Sequence, residues 1–384
     1  MSEKIHQTVS PAVDSSSASV WTVRRVLGFT EQHFRRAGLG SPRLDAEVLL
    51  AHTLMKDRVR LYIDLDQPLH ENELARFRDL IRRRVSGVPV AYLTGKKEFF
   101  SLPLCVEPSV LIPRPETERL VELAIHFLQH GVFAEKPAVW QDGGGVAPVE
   151  TVVYADEPTP DLDWQDQQGQ QDQQGQQDQG LPDKPPENAE PAPKKSEPQA
   201  DHTEPKTVVD VGTGSGAIAL AVKKHCPFVR MVAVDQSEAA LACAAKNAAL
   251  LALDIEFVHS DLLSALGSVR NWGRTVDLIC ANLPYIPSGD LSQLPKDVQS
   301  EPRLALDGGP DGLSVIARLV ACARLHLRPG GAILLEVGEG QAQAAAALLC
   351  AHGFVGVFTV RDYSHIERVV CGQAPGAMLE KGPV

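Results

Sequence analysis

The segment Asp210-Val211-Gly212-Thr213-Gly214-Ser215-Gly216 stands between an apolar run, Thr207 to Val211, and a helix-forming stretch from Ala217 to His225. A glycine turn joining a strand to a helix lets the backbone bend sharply and approach a ligand closely. The next apolar run, Met231 to Val234, ends on Asp235, 19 residues after Gly216. A carboxylate there can accept hydrogen bonds from both hydroxyls of a ribose. A helical stretch from Ala239 to Leu251 follows, then apolar runs at Ile255 to Val258, Val276 to Ala281, Ala332 to Val337 and Phe354 to Phe358. Strands alternating with helices predict an α/β domain built on a mostly parallel, doubly wound, Rossmann-like sheet.

The nucleoside ligand is either a dinucleotide or S-adenosyl-L-methionine. A dinucleotide site wants GxGxxG, so that a helix N-terminus meets the pyrophosphate. Here the spacing is GxGxG with Asp210 in front of it. An acidic strand residue suits a cationic amino-acid ligand better than an anionic pyrophosphate. Asp261, after the third strand in His259-Ser260-Asp261-Leu262, is expected to accept from the exocyclic amine of adenine. The alternative for Asp261 is a helix N-cap.

Asn282-Leu283-Pro284-Tyr285 follows the fourth strand, at the carboxyl edge where α/β enzymes bind ligands. An amide or aromatic amine nitrogen is a poor nucleophile because its lone pair is delocalised. The Asn282 side-chain oxygen and the Leu283 backbone carbonyl can both accept from an NH₂ group and hold its lone pair toward a methyl donor. Pro284 stiffens the loop, and Tyr285 can stack on a planar amide or base. The donor is already activated, so positioning is the main requirement and no dedicated general base is needed.

Upstream, Val23, Val26, Leu27, Thr30 and Phe34 recur at helical spacing, as do Ala46, Leu49, Leu50 and Leu54 after Ser41-Pro42. A third helix is expected from Glu71 to Val85, with Leu74, Phe77, Leu80 and Ile81 inward. The expected organisation is a disordered lead (1–19), a helical substrate-recognition domain (20–87), a β-hairpin connector (88–116) and a methyltransferase domain (117–130 and 206–376). The run Val88 to Gly95 reads as β-prone and as leading into the hairpin. The run Arg76, Arg78, Arg82, Arg83 and Arg84 reads as a solvated helix face or a dock for an acidic partner.

The methyltransferase portion is interrupted by an acidic, Gln- and Pro-rich insertion at 131–205, with Asp166, Asp172 and Asp178 repeating every six residues. Such composition buries too little apolar surface to offset the entropy of ordering. It holds 16 of the 49 acidic and 4 of the 37 basic residues, leaving 33 of each elsewhere. The net charge of −12 therefore belongs to the insertion, and the remainder lacks the basic balance of a large nucleic-acid footprint. No CxxC pair occurs among the seven cysteines, and the twelve histidines show no metal spacing, so no metal is expected. The first twenty residues lack the apolar core of a signal peptide and no run is long enough to span a membrane, so cytoplasmic residence is expected.

With these segments in view, the chain resembles the release-factor glutamine methyltransferases, called HemK or PrmC. The resemblance rests on Gly87 to Gly95, Val110-Leu111-Ile112-Pro113-Arg114-Pro115-Glu116-Thr117-Glu118, Asp210 to Gly216, Asn282 to Ile286, Leu306-Asp307-Gly308-Gly309-Pro310-Asp311-Gly312-Leu313, and the closing Asp362-Tyr363 and Glu367 to Val370. It implies a helical N-terminal domain, a β-hairpin and a seven-stranded class I methyltransferase domain. It implies S-adenosyl-L-methionine as cofactor and methylation of glutamine N5 in the Gly-Gly-Gln motif of peptide chain release factors. Cofactor contacts carry over to Gly212, Thr213, Gly214, Ser215, Gly216, Asp235, Leu262 and Asn282. Substrate contacts carry over to Asn282, Leu283, Pro284 and Tyr285. Family members commonly have Pro at the place of Leu283, where the backbone carbonyl is what the family uses. Some have an aromatic residue at the place of Leu262.

Three other readings stand beside this one. A nucleic-acid methyltransferase acting on adenine N6 or guanine N2 can use the same tetrad, but it wants a basic face. A binding protein that has kept the fold without turnover would not need both Asp235 and Asn282. A dinucleotide oxidoreductase conflicts with the glycine spacing and the tetrad.

Overall fold

The computed structural model describes residues 20–131, 133, 205–269 and 274–376. The lead at 1–19 and, apart from residues 131, 133 and 205, the insertion at 131–205 lie outside the described residues.

The chain opens with helices α1 (Val23–Arg36), α2 (Pro42–Leu54), α3 (Arg58–Ile63), α4 (Glu71–Val85) and α5 (Val90–Thr94). Local chemistry sets their ends. The Thr22 hydroxyl caps α1, Pro42 opens α2, and Glu73 accepts from the His70 amide at the start of α4 (2.7 Å). The residues read as inward-facing converge on one core of Val23, Val26, Leu27, Phe34, Ala46, Leu49, Leu50 and Phe77. Helix α3, at six residues, is too short to show a period, and Asp57 caps it by accepting from the Arg60 amide (2.7 Å).

Two expectations are corrected here. The Val88 to Gly95 run does not lead the hairpin as a strand; most of it is α5, ended by Gly95 at φ 69°. Leu93 is buried among the helices, and packing of this kind overrides β-propensity in so short a run. The hairpin is confined to β1 (Lys96–Phe99) and β2 (Leu102–Cys105). Arg84 is not on a solvated face. It is 7% exposed and pairs with Asp45 (2.8 Å) and Asp297 (3.4 Å). A guanidinium so placed ties α4 both to α2 and to the short helix Lys296–Gln299 beyond the Asn282 tetrad.

The α/β part comprises α6 (Glu118–His130), β3 (Thr207–Val211), α7 (Ala217–His225), β4 (Arg230–Asp235), α8 (Glu238–Leu251), β5 (Glu256–His259) and α9 (Ser264–Val269). It continues with β6 (Val276–Asn282), α10 (Lys296–Gln299), α11 (Ser314–His326), β7 (Leu327–Glu336), α12 (Ala342–Ala351), β8 (Val355–Arg361) and β9 (Glu367–Gln373). The seven strands run in the order β5-β4-β3-β6-β7-β9-β8, and β9 is antiparallel to both neighbours. Strand β7 starts five residues earlier than Ala332, because Leu327 pairs with Val276. Both faces of the central strands are covered, which is why they read as unbroken apolar runs. The chain runs outward from β3 through β4 to β5, then returns to β6 on the other side. That reversal opens a crevice at the carboxyl ends of β3 and β6. No helix among the described residues is long and apolar enough to cross a membrane.

Candidate active site

One cavity lies in this crevice, and Gly212, Thr213, Gly214, Ser215, Asp235, Asp261, Leu262, Asn282, Leu283 and Pro284 all line it. Residues 72 positions apart in the chain, Gly212 and Pro284, thus line one cavity because β3, β4 and β6 end side by side. Of the expected residues, Gly216 and Tyr285 do not line the cavity.

The glycine turn is fastened to β4, since Gly212 N and Thr213 N both donate to Val234 O (2.9 and 3.0 Å). Gly216 serves packing: a Cβ there would lie 3.0 Å from Leu220 Cδ1 and 3.2 Å from Ala244 Cβ. Asp210 turns inward, where Oδ2 accepts from the Thr213 hydroxyl (2.7 Å) and the Ala219 amide (3.2 Å). Its carboxylate holds the turn's shape, and burial pushes its pKa up to about 7.

Asp235 reaches the cavity from the end of β4. Its Oδ2 accepts from Gly214 N and its Oδ1 from Ser237 N, both at 2.9 Å. Burial raises its pKa, while these backbone donors pull against the rise. Gln236 N is a third backbone donor to this carboxylate, and the acceptor capacity that remains suits a ribose hydroxyl. Asp261 sits at the exposed rim, and its Oδ2 is taken by Arg318 (2.6 Å). The first turn of α9 is capped instead by Ser260, whose Oγ accepts from Ala265 N (3.1 Å).

On the other wall, Asn282 is the last residue of β6 and its Nδ2 donates to Thr117 Oγ1 (3.0 Å). Leu283 is buried, and a Cβ at Gly212 would lie 2.9 Å from its Cδ2. A glycine at 212 therefore leaves the room that the Leu283 side chain takes up. Tyr285 packs toward the sheet core, and burial and the Glu336 charge push its hydroxyl up to about 12.

Several residues with no role assigned from the sequence support this wall. Gln341 Nε2 donates to Tyr285 O, and its Oε1 accepts from Gly338 N, both at 2.8 Å. The Leu306 to Leu313 segment pairs with the chain after Tyr285. Ile286 N donates to Leu306 O (3.0 Å) and Gly308 N to Ile286 O (2.8 Å). The segment Pro113 to Glu118 brings Pro113 and Thr117 to the cavity wall. Its Arg114 pairs with buried Glu301, which also accepts from Ile112 N (2.9 Å). Glu336, at the end of β7, is 1% exposed and raised to about 7 by burial.

A stability prediction follows from Asp210 and Glu336. Each folded carboxyl stays protonated up to about 7, above its ordinary value of 3.8 or 4.5. The folded protein then binds more protons than the unfolded chain between those limits, so their contribution is full at acid pH and lost as pH rises to 7. Denaturant unfolding at pH 5.5, 6.5 and 7.5 is expected to show Asp210→Asn losing less stability per pH unit than the parent, by about 1.4 kcal/mol. Parallel slopes for the two proteins would count against the protonated Asp210.

Comparison with known proteins adds the following. The PrmC N-terminal domain family matches residues 26–95, and the methyltransferase small domain family matches residues 198–292. The release factor glutamine methyltransferase of Geobacter sulfurreducens is 33% identical over 355 residues, covering 92% of this chain and 97% of that protein. That of Rhodopirellula baltica is 33% identical over 364 residues, covering 94% and 99%. That of Moorella thermoacetica is 35% identical over 334 residues, covering 86% and 91%.

Proposed function

The chain belongs to the release factor glutamine methyltransferase family, and from that premise we propose that it methylates N5 of the glutamine in the Gly-Gly-Gln motif of peptide chain release factors. It is a methyltransferase that uses S-adenosyl-L-methionine. The observation that supports the reading most is that Asn282, Leu283 and Pro284 line the same cavity as Asp235 and the Gly212 to Ser215 turn. A nucleoside held by Asp235 has its amino-acid end within the same cavity as the tetrad.

The residues fit this cofactor. Asp235 offers two oriented carboxylate oxygens, and the turn presents open backbone at Gly214, where a Cβ would meet nothing within 4 Å. When bound, S-adenosyl-L-methionine supplies a methyl group already activated on a sulfonium. Asn282 Oδ1 and the Leu283 carbonyl accept the two N–H bonds of the target amide, which turns its lone pair into the cavity. Leu283 replaces the usual Pro without changing the carbonyl that does this work. Pro284 and the Gln341 bond to Tyr285 O keep that carbonyl from swinging away. The methylated nitrogen is acidic and sheds its extra proton to water or to these acceptors. The helical residues 20–87 are the segment we assign to recognition of the factor, and the cytoplasm is the expected compartment.

The test is transfer of labelled methyl to a purified release factor, to a copy with its Gly-Gly-Gln glutamine changed to alanine, and to total RNA and DNA. Label on the intact factor alone is expected. Label on nucleic acid and not on the factor would overturn the substrate and leave the cofactor site standing.

A further inference from the structure

An amide side chain has a donor end and an acceptor end of nearly the same shape. Methylation of an NH₂ group requires Asn282 to present its oxygen to the substrate, a requirement that rests on the function proposed above. Asn282 Nδ2 lies 3.0 Å from Thr117 Oγ1. A hydroxyl both donates and accepts, so Thr117 alone does not select one end of the amide. Glu336 ends β7 directly opposite Asn282 in the parallel ladder. Side chains so paired stand on the same face of neighbouring strands, about 4.8 Å apart. Glu336 is 1% exposed, and neither of its oxygens has a well-formed hydrogen bond. A buried group of that kind calls for a reason. Thr117 and Asn282 face the carboxyl and favour its charged form, which can only accept.

We propose that Glu336 and Thr117 are positioning residues that fix which end of the Asn282 amide faces the substrate. The ionised carboxylate draws the Thr117 hydroxyl proton toward itself. The Thr117 oxygen is then left as an acceptor, and only the Asn282 NH₂ end satisfies it. Asn282 Oδ1 remains for the target amide. A protonated Glu336 has a proton of its own to give, which frees the Thr117 proton for Asn282 and favours the flipped, unproductive amide. Arg368 from β9, Glu116 from the turn before α6 and Tyr285 from the loop after β6 also face this carboxyl. Burial outweighs Arg368 and moves the carboxyl up to about 7, within the working range of an enzyme.

The experiment measures kcat, KM for the release factor and the pH profile for Thr117→Val, Thr117→Ser, Glu336→Gln and Asn282→Ala. Titration calorimetry with S-adenosyl-L-methionine shows that each variant keeps its fold and cofactor site. Thr117→Val is expected to lose roughly ten- to a hundredfold in kcat, with KM and cofactor Kd within about twofold, the signature of a misplaced reacting group. Thr117→Ser, which keeps the hydroxyl, recovers most of that loss. The parent's kcat rises as pH passes 7, and Glu336→Gln lacks that limb. A Thr117→Val variant with the parent's kcat, or a Glu336→Gln variant that keeps the limb, overturns the positioning role. In that case loss of turnover in Asn282→Ala leaves the proposed function intact. Full turnover by Asn282→Ala overturns the role of Asn282 and the positioning role with it, whereas the proposed function falls only if the parent does not label the factor.

Discussion

Replacing Asn282 by alanine is expected to lower single-turnover methylation of the release factor by about a thousandfold, the scale of losing one preorganised catalytic hydrogen bond. The size follows from the target. An amide nitrogen shares its lone pair with the carbonyl, and only acceptors on both N–H bonds hold that lone pair toward the methyl group. Leu283's carbonyl supplies one acceptor whatever its side chain, whereas the other comes from the Asn282 side chain at the end of β6. In the proposed function the cofactor is held mainly by Asp235 and the glycine turn, which line the same cavity. Its Kd should therefore move far less than the rate. A variant that keeps its rate within about tenfold would leave Asn282 with no more than a supporting share of the transition state.

Gly312→Ala is expected to damage the site from outside it. Gly312 has φ 77°, and a Cβ there would lie 2.2 Å from Tyr285 O and 2.4 Å from Gln341 Nε2. The left-handed backbone costs an alanine roughly 1–2 kcal/mol. The clash is the greater harm, because Tyr285 O must move and the Gln341 bond that steadies it must break. We expect Tm to fall by about 5 °C and kcat by about a hundredfold, the cost of misplacing a reacting group by an ångström. Gly289 is the control: it lies beyond the same tetrad, and a Cβ there would meet nothing within 4 Å. Gly289→Ala should behave as the parent in both measurements, and equal damage from the two changes would remove the steric account.

Much of this was readable from residue order. The spacing of Val23, Val26, Leu27, Thr30 and Phe34 marked the buried face of α1 to the residue. The order of strand, glycine turn and helix, with Asp235 closing the next strand, indicated a nucleoside crevice. Both patterns are local, and one element's period or turn chemistry is enough to reveal them. The Val88 to Gly95 run misled because its β-branched residues are too few to outweigh packing of Leu93 among helices. Arg84 misled because a charge run looks solvated until the chain folds Asp45 and Asp297 around one of its members.

By itself the sequence determined the layered α/β architecture and pointed to the glycine turn and Asp235 as the proposed seat of the cofactor and to the residue types able to hold an NH₂ group. These depend on periodicity, on glycine at a tight turn and on the chemistry of single side chains. Only the tertiary structure decided what holds Asn282. Thr117 lies 165 residues before it and Glu336 lies on the next strand, opposite it in the ladder. Gly308 and Gly312 leave room for the carbonyls of Pro284 and Tyr285, which a Cβ at either position would crowd. No local pattern announces such neighbours, because sheet register and loop docking bring them together through contacts that are long-range in the chain.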